Sequence, residues 1–279
     1  MPLISVPCAV PTKRGDLAPV ARKRLILDVH HTTTWTGRPH GREGQATIWV
    51  PRDRLHRYAM PPADRPVVAA LSLPPLMLVT PEPDPGNPAA FVDAVLEAVH
   101  RATSAQLAVR RAAAKDESHH GTQALLLQLR ARTLTTTQRR DLASILLEAL
   151  PDGVTLVVNS DLEVAQATGT GLHLSAERLA GTPSRPISRT RLLGASCHTA
   201  EDLARAETLD CDYAILGPVA PTATHPGARP LGWDAFAVLR EPASLPIYAI
   251  GGLSPADLPA ARAHGAQGIA AIRAFFPSP

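Results

Sequence analysis

The chain has 279 residues, 45% of them hydrophobic, and its 28 basic and 25 acidic side chains leave a formal net charge of only +3. That length allows one barrel-sized core and a smaller appendage. The basic residues are scattered without interleaved aromatics, which argues against a nucleic-acid surface, and no apolar run approaches a membrane span.

Three cysteines, Cys8, Cys197 and Cys211, form neither a C-x-x-C pair nor a disulfide framework, the usage expected of a reducing cytoplasm. The opening MPLISVPCAVP lacks the basic and apolar regions of a signal peptide. Residues 1–23 show little periodicity and read as irregular. From Arg24 the pattern changes: RLILDVHHTTTW alternates and is β-branched, which predicts a strand, TGRPHGREGQ predicts a loop, and ATIWV predicts a second strand. The stretch from Pro51 to Leu73 reads as a loop followed by a short helix, closing an N-terminal module over 24–73.

Beyond it, short apolar runs alternate with amphipathic helical patterns. Strands are expected at 76–80, 124–130, 154–158, 170–174, 191–195, 212–217, 246–250 and 267–272, with the clearest helices at 89–114, 135–149, 199–209, 233–240 and 255–264. Thr199, and Ser254 ahead of Pro255, stand as helix caps. The expected fold is therefore α/β, a (β/α)8 TIM barrel over 76–277. Two irregularities stand out: the segment 103–123 is longer than a connection needs, and only about six residues remain for an eighth helix.

The C-terminal ends of barrel strands build the active site. Gln128, Arg130 and Arg132 alternate at the end of the second strand, which predicts that all three face the interior. A buried pair of guanidiniums needs an anion, and a phosphorylated or carboxylated ligand would supply it; a solvated rim pair is the plainer alternative. Ser196 and His198 share a face, and Cys197 opposes them as core. The pair Gly251-Gly252 after the seventh strand, with Ile272-Arg273 after the eighth, falls where barrels bind phosphate. Pro221 to Gly227, carrying Thr222, Thr224 and His225, reads as a ligand loop or as a Pro-braced turn.

GASCHT, LGPVAPTATHPGA, AIGGLSP and HGAQGIAAI occur in this order between Gly194 and Ile272. Together they resemble the thiamine phosphate synthase family, which includes the thiazole tautomerases of the TenI type. The resemblance runs from Leu76 to Phe276. It implies a thiamine-biosynthetic enzyme whose partner is a small phosphorylated thiazole, with neither nucleic acid nor membrane involved. In synthases an Asp follows the Asn that ends the third strand and holds magnesium; here the pair is Asn159-Ser160. The second magnesium Asp aligns with Arg178. The family's sixth loop is P-T-x-T-K-x-G, whose threonines and Lys receive pyrophosphate; here Thr222 and Thr224 stand, with His225 in place of Lys.

In tautomerases the acid-base histidine matches His198. The expected reaction is thus aromatisation of a thiazole phosphate. His198 would move the proton, Gly251, Gly252, Ile272 and Arg273 would hold phosphate, and Gln128, Arg130, Arg132, Asn159, Ser196, Thr222, Thr224 and His225 would line the substrate. No metal is required. The alternatives are thiamine phosphate synthase, joining hydroxymethylpyrimidine pyrophosphate to thiazole phosphate with magnesium, and an inactive phosphate-binding domain. The sequence leaves the oligomeric state open, homo-oligomers included.

The N-terminal residues Trp35-Thr36-Gly37, Gly41 to Gln45, Trp49-Val50 and Pro61 to Pro66 resemble part of a MutT-type Nudix hydrolase. The glutamate-rich G-x5-E-x7-R-E-x2-E-E-x-G box that would hold its magnesium is missing from the sequence, so Nudix hydrolysis is not expected.

Overall fold

The structure is a computed structural model that describes residues 4–7, 24–27, 36–38, 40, 47–51, 54, 55, 58, 60, 61, 64–113, 125–222, 227 and 229–276. Two short strands come first, β1 (Ile4–Pro7) and β2 (Arg24–Leu27), paired antiparallel with Ile4 opposite Leu27. The first of these lies in the stretch expected to be irregular; four residues are too few for a period to show. The expected strand from Arg24 is described only to Leu27, and the residues after it lie outside the described set. Thr47 to Val50, expected in a second strand, do not have strand conformation, and Ile48 and Trp49 are exposed. Much of the Nudix-like stretch, including Trp35 and Gly41 to Gln45, lies outside the described residues.

Helix α1 (Arg65–Ser72) leads into eight parallel strands that close on themselves. They are β3 (Leu76–Val79), β4 (Leu125–Leu129), β5 (Val154–Asn159), β6 (Gly171–Leu174), β7 (Leu193–Cys197), β8 (Tyr213–Leu216), β9 (Ile247–Ile250) and β10 (Gly268–Ala271). The ring runs in sequence order, and β10 pairs with β3 through Ala270 opposite Met77. Between the strands lie α2 (Pro88–Ala113), α3 (Thr136–Ala149), α4 (Leu162–Thr168), α5 (Ala176–Gly181), α6 (Ala200–Thr208), α7 (Gly232–Arg240) and α8 (Leu258–Ala263). After β10 the expected eighth helix is only a turn, in which Ile272 O accepts from the N–H groups of Phe275 and Phe276.

The strands are apolar on both faces because both faces are covered. One set of side chains, including Leu76, Leu78, Leu125, Leu127, Leu172 and Ala214, packs outward against the helices. The alternate set, including Met77, Leu126, Val157, Tyr213, Ile215, Tyr248 and Ala270, fills the interior. Each fully buried Leu of these layers stabilises the fold by roughly 1.5–3 kcal/mol. The interior ring is crowded enough to dictate a glycine: a Cβ on Gly194 would stand 2.1 Å from the Tyr213 ring.

The N-terminal end of the barrel is closed by the segment that enters it. Gln267 Nε2 donates to Ala70 O and Leu73 O, each at 3.0 Å, and Tyr248 Oη donates to Pro74 O at 2.6 Å. Leu73 itself joins the interior cluster. Helix α1 falls inside the range read as the N-terminal module, yet it is latched to the barrel floor. The helix starts are capped as the sequence suggests. Thr199 and Asp202 form a capping box at α6, and Ser254 binds Asp257 ahead of a 3-10 turn, Pro255–Asp257, that leads into α8. Among the described residues no helix is long and apolar enough to cross a membrane.

Candidate functional site

The C-terminal ends of the strands gather most of the residues the sequence nominated, but in different company from that expected. Gln128 is buried and its Nε2 donates to Asn159 Oδ1 at 2.9 Å, so β4 and β5 present one amide pair at the mouth. Arg130 follows with 19% of its side chain exposed, whereas Arg132 is 63% exposed. The inward alternation predicted for all three therefore fails at Arg132. Strand β4 ends at Leu129, and beyond it the pleat no longer sets direction.

The anion between the two arginines is also internal. Glu82, just after β3, accepts from Arg132 Nε at 2.7 Å and from the Arg132 backbone N–H at 2.7 Å, and stands 3.8 Å from Arg130 Nε. Partial burial works against the Glu82 carboxylate. Hydrogen bonds from Arg132 and Thr133 and the nearby charge of Arg130 outweigh it and leave the pKa below the ordinary value. Burial lowers the Arg130 pKa, with Arg132 adding to the effect and Glu82 opposing it. Thr80 fixes this corner, its hydroxyl accepting from Arg130 N at 2.9 Å. Neither Glu82 nor Thr80 was nominated from the sequence.

The magnesium positions can be judged from their donor atoms. Ser160 has φ 55°, and its Oγ accepts from Ser175 N at 3.1 Å. Asp161, the next carboxylate along, caps α4 through Val164 N at 3.0 Å and pairs with Arg139 at 2.9 Å. Arg178 lies in the first turn of α5, exposed, where the resemblance would put a carboxylate. Among the described residues no group of three or more His, Cys, Asp or Glu side chains could hold a metal. One hydroxyl, one committed carboxylate and a guanidinium do not suit a hard cation that demands oxygen ligands.

Strand β7 runs from Leu193 to Cys197, two residues later than the sequence suggested at each end, because pairing with β6 begins at Leu193 opposite Leu172. Ser196 thus lies within the strand and His198 just past it. His198 Nδ1 is 2.9 Å from Gly217 O, and its backbone N–H donates to Asp202 at 2.8 Å. The carbonyl can only accept, so Nδ1 carries the hydrogen and Nε2 of the neutral ring keeps its lone pair. Cys197 points the other way into the core, and burial, with Asp202 and Cys211 adding to it, raises its thiol pKa, so it is no nucleophile. Ser196 Oγ does not stand alone: it lies 2.9 Å from Nε2 of the fully buried His173, whose Nδ1 is 3.1 Å from Tyr213 Oη.

On the far side, Gly251 and Gly252 have φ of 104° and 65°. A Cβ on Gly251 would meet Pro218 at 2.5 Å, so the loop after β9 lies directly against the loop after β8. That contact by itself demands the glycines. Arg273 Nη2 donates to Thr222 Oγ1 at 3.2 Å and joins the last rim turn to the sixth loop. Ile272 is partly buried against the interior cluster. Thr224 and His225 lie outside the described residues.

The arrangement is a closed barrel whose mouth carries the His198 imidazole, an amide pair and several guanidiniums. The family described as thiamine monophosphate synthase (TMP-TENI) matches residues 76–275. The chain belongs to the thiamine monophosphate synthase family. Relatives in that family include the thiamine-phosphate synthase of Thioalkalivibrio sulfidiphilus, 34% identical over 161 residues that make up 56% of this chain and 76% of that protein. The thiamine-phosphate synthase of Chloroflexus aurantiacus is 35% identical over 124 residues, 44% of this chain and 57% of its own length. The solved thiamine phosphate pyrophosphorylase of Pyrococcus furiosus superposes with a TM-score of 0.54 over 73% of this chain and 87% of that one, at 22% identity, a likeness of fold.

Proposed function

We propose that the barrel binds a phosphorylated thiazole for thiamine formation and moves a proton on its ring. The observation that carries the reaction type is the rim at Ser160 and Arg178, where a hydroxyl and a guanidinium stand in place of magnesium carboxylates, beside a histidine whose Nδ1 is engaged by Gly217 O. His198 Nε2 takes a proton from one position of the ring and returns it at another, and the Nδ1–H bond to Gly217 O holds the imidazole in the tautomer this requires. The composition of the substrate is unchanged and no metal takes part. Gly251, Gly252, Ile272 and Arg273 receive the phosphate, and Thr222, Thr224 and His225 are the remaining ligand residues carried over from the family's sixth loop. Gln128, Asn159 and Arg130 face the ring substituents, Ser196 offers its hydroxyl from β7, and Arg132, held by Glu82, adds positive charge at the outer rim.

The second reading is the synthase reaction, the joining of hydroxymethylpyrimidine pyrophosphate to thiazole phosphate. The names of the relatives favour it over tautomerisation. It needs magnesium to draw off pyrophosphate, and the residues at β5 and β6 do not fit that ion.

Incubating the full chain with a carboxythiazole phosphate alone, and with thiazole phosphate plus the pyrimidine pyrophosphate with and without magnesium, separates the readings. Aromatisation without metal supports the proposal. Magnesium-dependent thiamine phosphate overturns it in favour of the synthase. Binding of the phosphorylated thiazole with no turnover identifies a ligand-binding domain and also overturns it.

A further inference from the structure

Three side chains cross the barrel interior in hydrogen-bonding contact: Tyr213 Oη to His173 Nδ1 at 3.1 Å, and His173 Nε2 to Ser196 Oγ at 2.9 Å. Tyr213 and His173 are completely buried, in the layer that also contains Met77, Tyr248 and Ala270. Ser196 is partly exposed and is the penultimate residue of β7, which places its hydroxyl at the C-terminal end of the barrel, the mouth.

Such a chain has a direction, and hydrogen-bond accounting fixes it. Burial drives the His173 pKa down to about 3, so the ring is neutral and owns a single N–H. Burial, with Tyr248, Asp212 and Cys211 adding to it, holds the Tyr213 phenol protonated. If Nδ1–H donated to Tyr213 Oη, the phenolic hydrogen would have no acceptor, since His173 is the one hydrogen-bonding partner of Tyr213 Oη among the described residues. An orphaned donor in a dry interior costs about 1–3 kcal/mol. If Tyr213 donates to Nδ1, then Nε2–H donates to Ser196 Oγ and every interior group is satisfied. The Ser196 hydrogen is then left to point away from His173, toward the mouth.

We infer that Tyr213, His173 and Ser196 form a one-way donor chain that fixes Ser196 as a hydrogen-bond donor to an anionic oxygen of the ligand. Ser196 is the contact, and His173 and Tyr213 are positioning residues behind it. Each link polarises the next, so the final O–H is a stronger donor than an isolated serine. The acceptor is a phosphate or carboxylate oxygen, and a ligand that offers only a donor at this point is rejected. The inference rests on the proposed phosphorylated thiazole only for the identity of that ligand.

The chain itself is tested without ligand. Nitrogen-15 NMR of the labelled full chain at pH 7.5 should show His173 as a fixed Nε2–H tautomer; an Nδ1–H ring, or exchange between the two, overturns the inference. The second arm is titration calorimetry with a carboxylated thiazole phosphate and with inorganic phosphate. Tyr213→Phe keeps the ring that packs on Gly194 and removes only the donor, and it should weaken thiazole binding roughly threefold to tenfold, with Ser196→Ala weaker still. A parallel loss for inorganic phosphate places the acceptor on phosphate, and a loss for the carboxylated ligand alone places it on the carboxylate. Unchanged affinity in Tyr213→Phe beside a loss in Ser196→Ala overturns the relay, whatever happens to stability. Should the wild type bind neither ligand, the proposed substrate falls, and the tautomer still decides the chain. The same tautomer measurement decides if Tyr213→Phe does not fold.

Discussion

The two sides of the mouth solve the problem of polar groups in a barrel in opposite ways. At β3 and β4 the groups are charged, half in water, and partly neutralised by the chain's own Glu82. At β6 to β8 Tyr213 and His173 are buried, and the chain of hydrogen bonds runs through them to Ser196 at the mouth. A ligand entering on the first side must compete with a carboxylate already in place. On the second it finds hydrogen bonds aimed in advance, with little reorganisation to make.

That contrast can be broken by experiment, beginning with the largest effect. His198→Asn should lower turnover by roughly 10²–10⁴-fold while thiazole phosphate still binds, because the proposed phosphate site at Gly251, Gly252 and Arg273 does not include the imidazole. Turnover within about threefold of wild type would move the proton transfer to another group; joint loss of binding would make His198 structural. Next comes the acid response of the buried side. The His173 pKa falls from 6.5 unfolded to about 3 folded, so stability is complete above pH about 6.5 and is lost as the pH drops toward 3. The loss can reach about 5 kcal/mol. Urea unfolding midpoints between pH 7.5 and 4 should fall steeply, and His173→Gln should flatten that slope; parallel slopes would show that other groups govern acid lability.

Smaller effects sharpen the comparison. Gly194→Ala should destabilise by about 1–3 kcal/mol, since a methyl there collides with the Tyr213 ring. Unchanged thermal stability would mean that the interior layer yields more readily than its packing suggests. On the charged side, Glu82→Gln should release Arg130 and Arg132 and tighten inorganic phosphate binding by roughly threefold to tenfold at low salt, with the gain shrinking as salt screens it. Weaker binding in that variant would show that Glu82 aims the arginines rather than competing for them.

The barrel was legible because strands covered on both faces are written as bare apolar runs, and because Thr199, Ser254 and their acidic partners mark helix starts locally. What escaped were the pairings between distant residues. Nothing local in the sequence joins Glu82 to Arg130 and Arg132, or His173 to Tyr213; both pairs exist only because neighbouring strands or their ends are brought together by closure. The two-residue shift of β7 has a similar origin. Leu192 extends the apolar run of Leu193 backwards, but Arg191 N is held in a turn by Ser188 O at 3.0 Å. The direction of Arg132 was misjudged by carrying a strand's alternation past the strand's end.

The floor of the barrel, where Gln267 and Tyr248 grip the chain around Leu73, bears on traffic. A barrel filled by its own side chains and closed at the floor offers a ligand only the mouth. Whatever arrives must leave by the route it came in, and a finished molecule blocks the next arrival until it has gone. Departure and entry are thereby coupled, and a slow leaver sets the pace however fast the event inside.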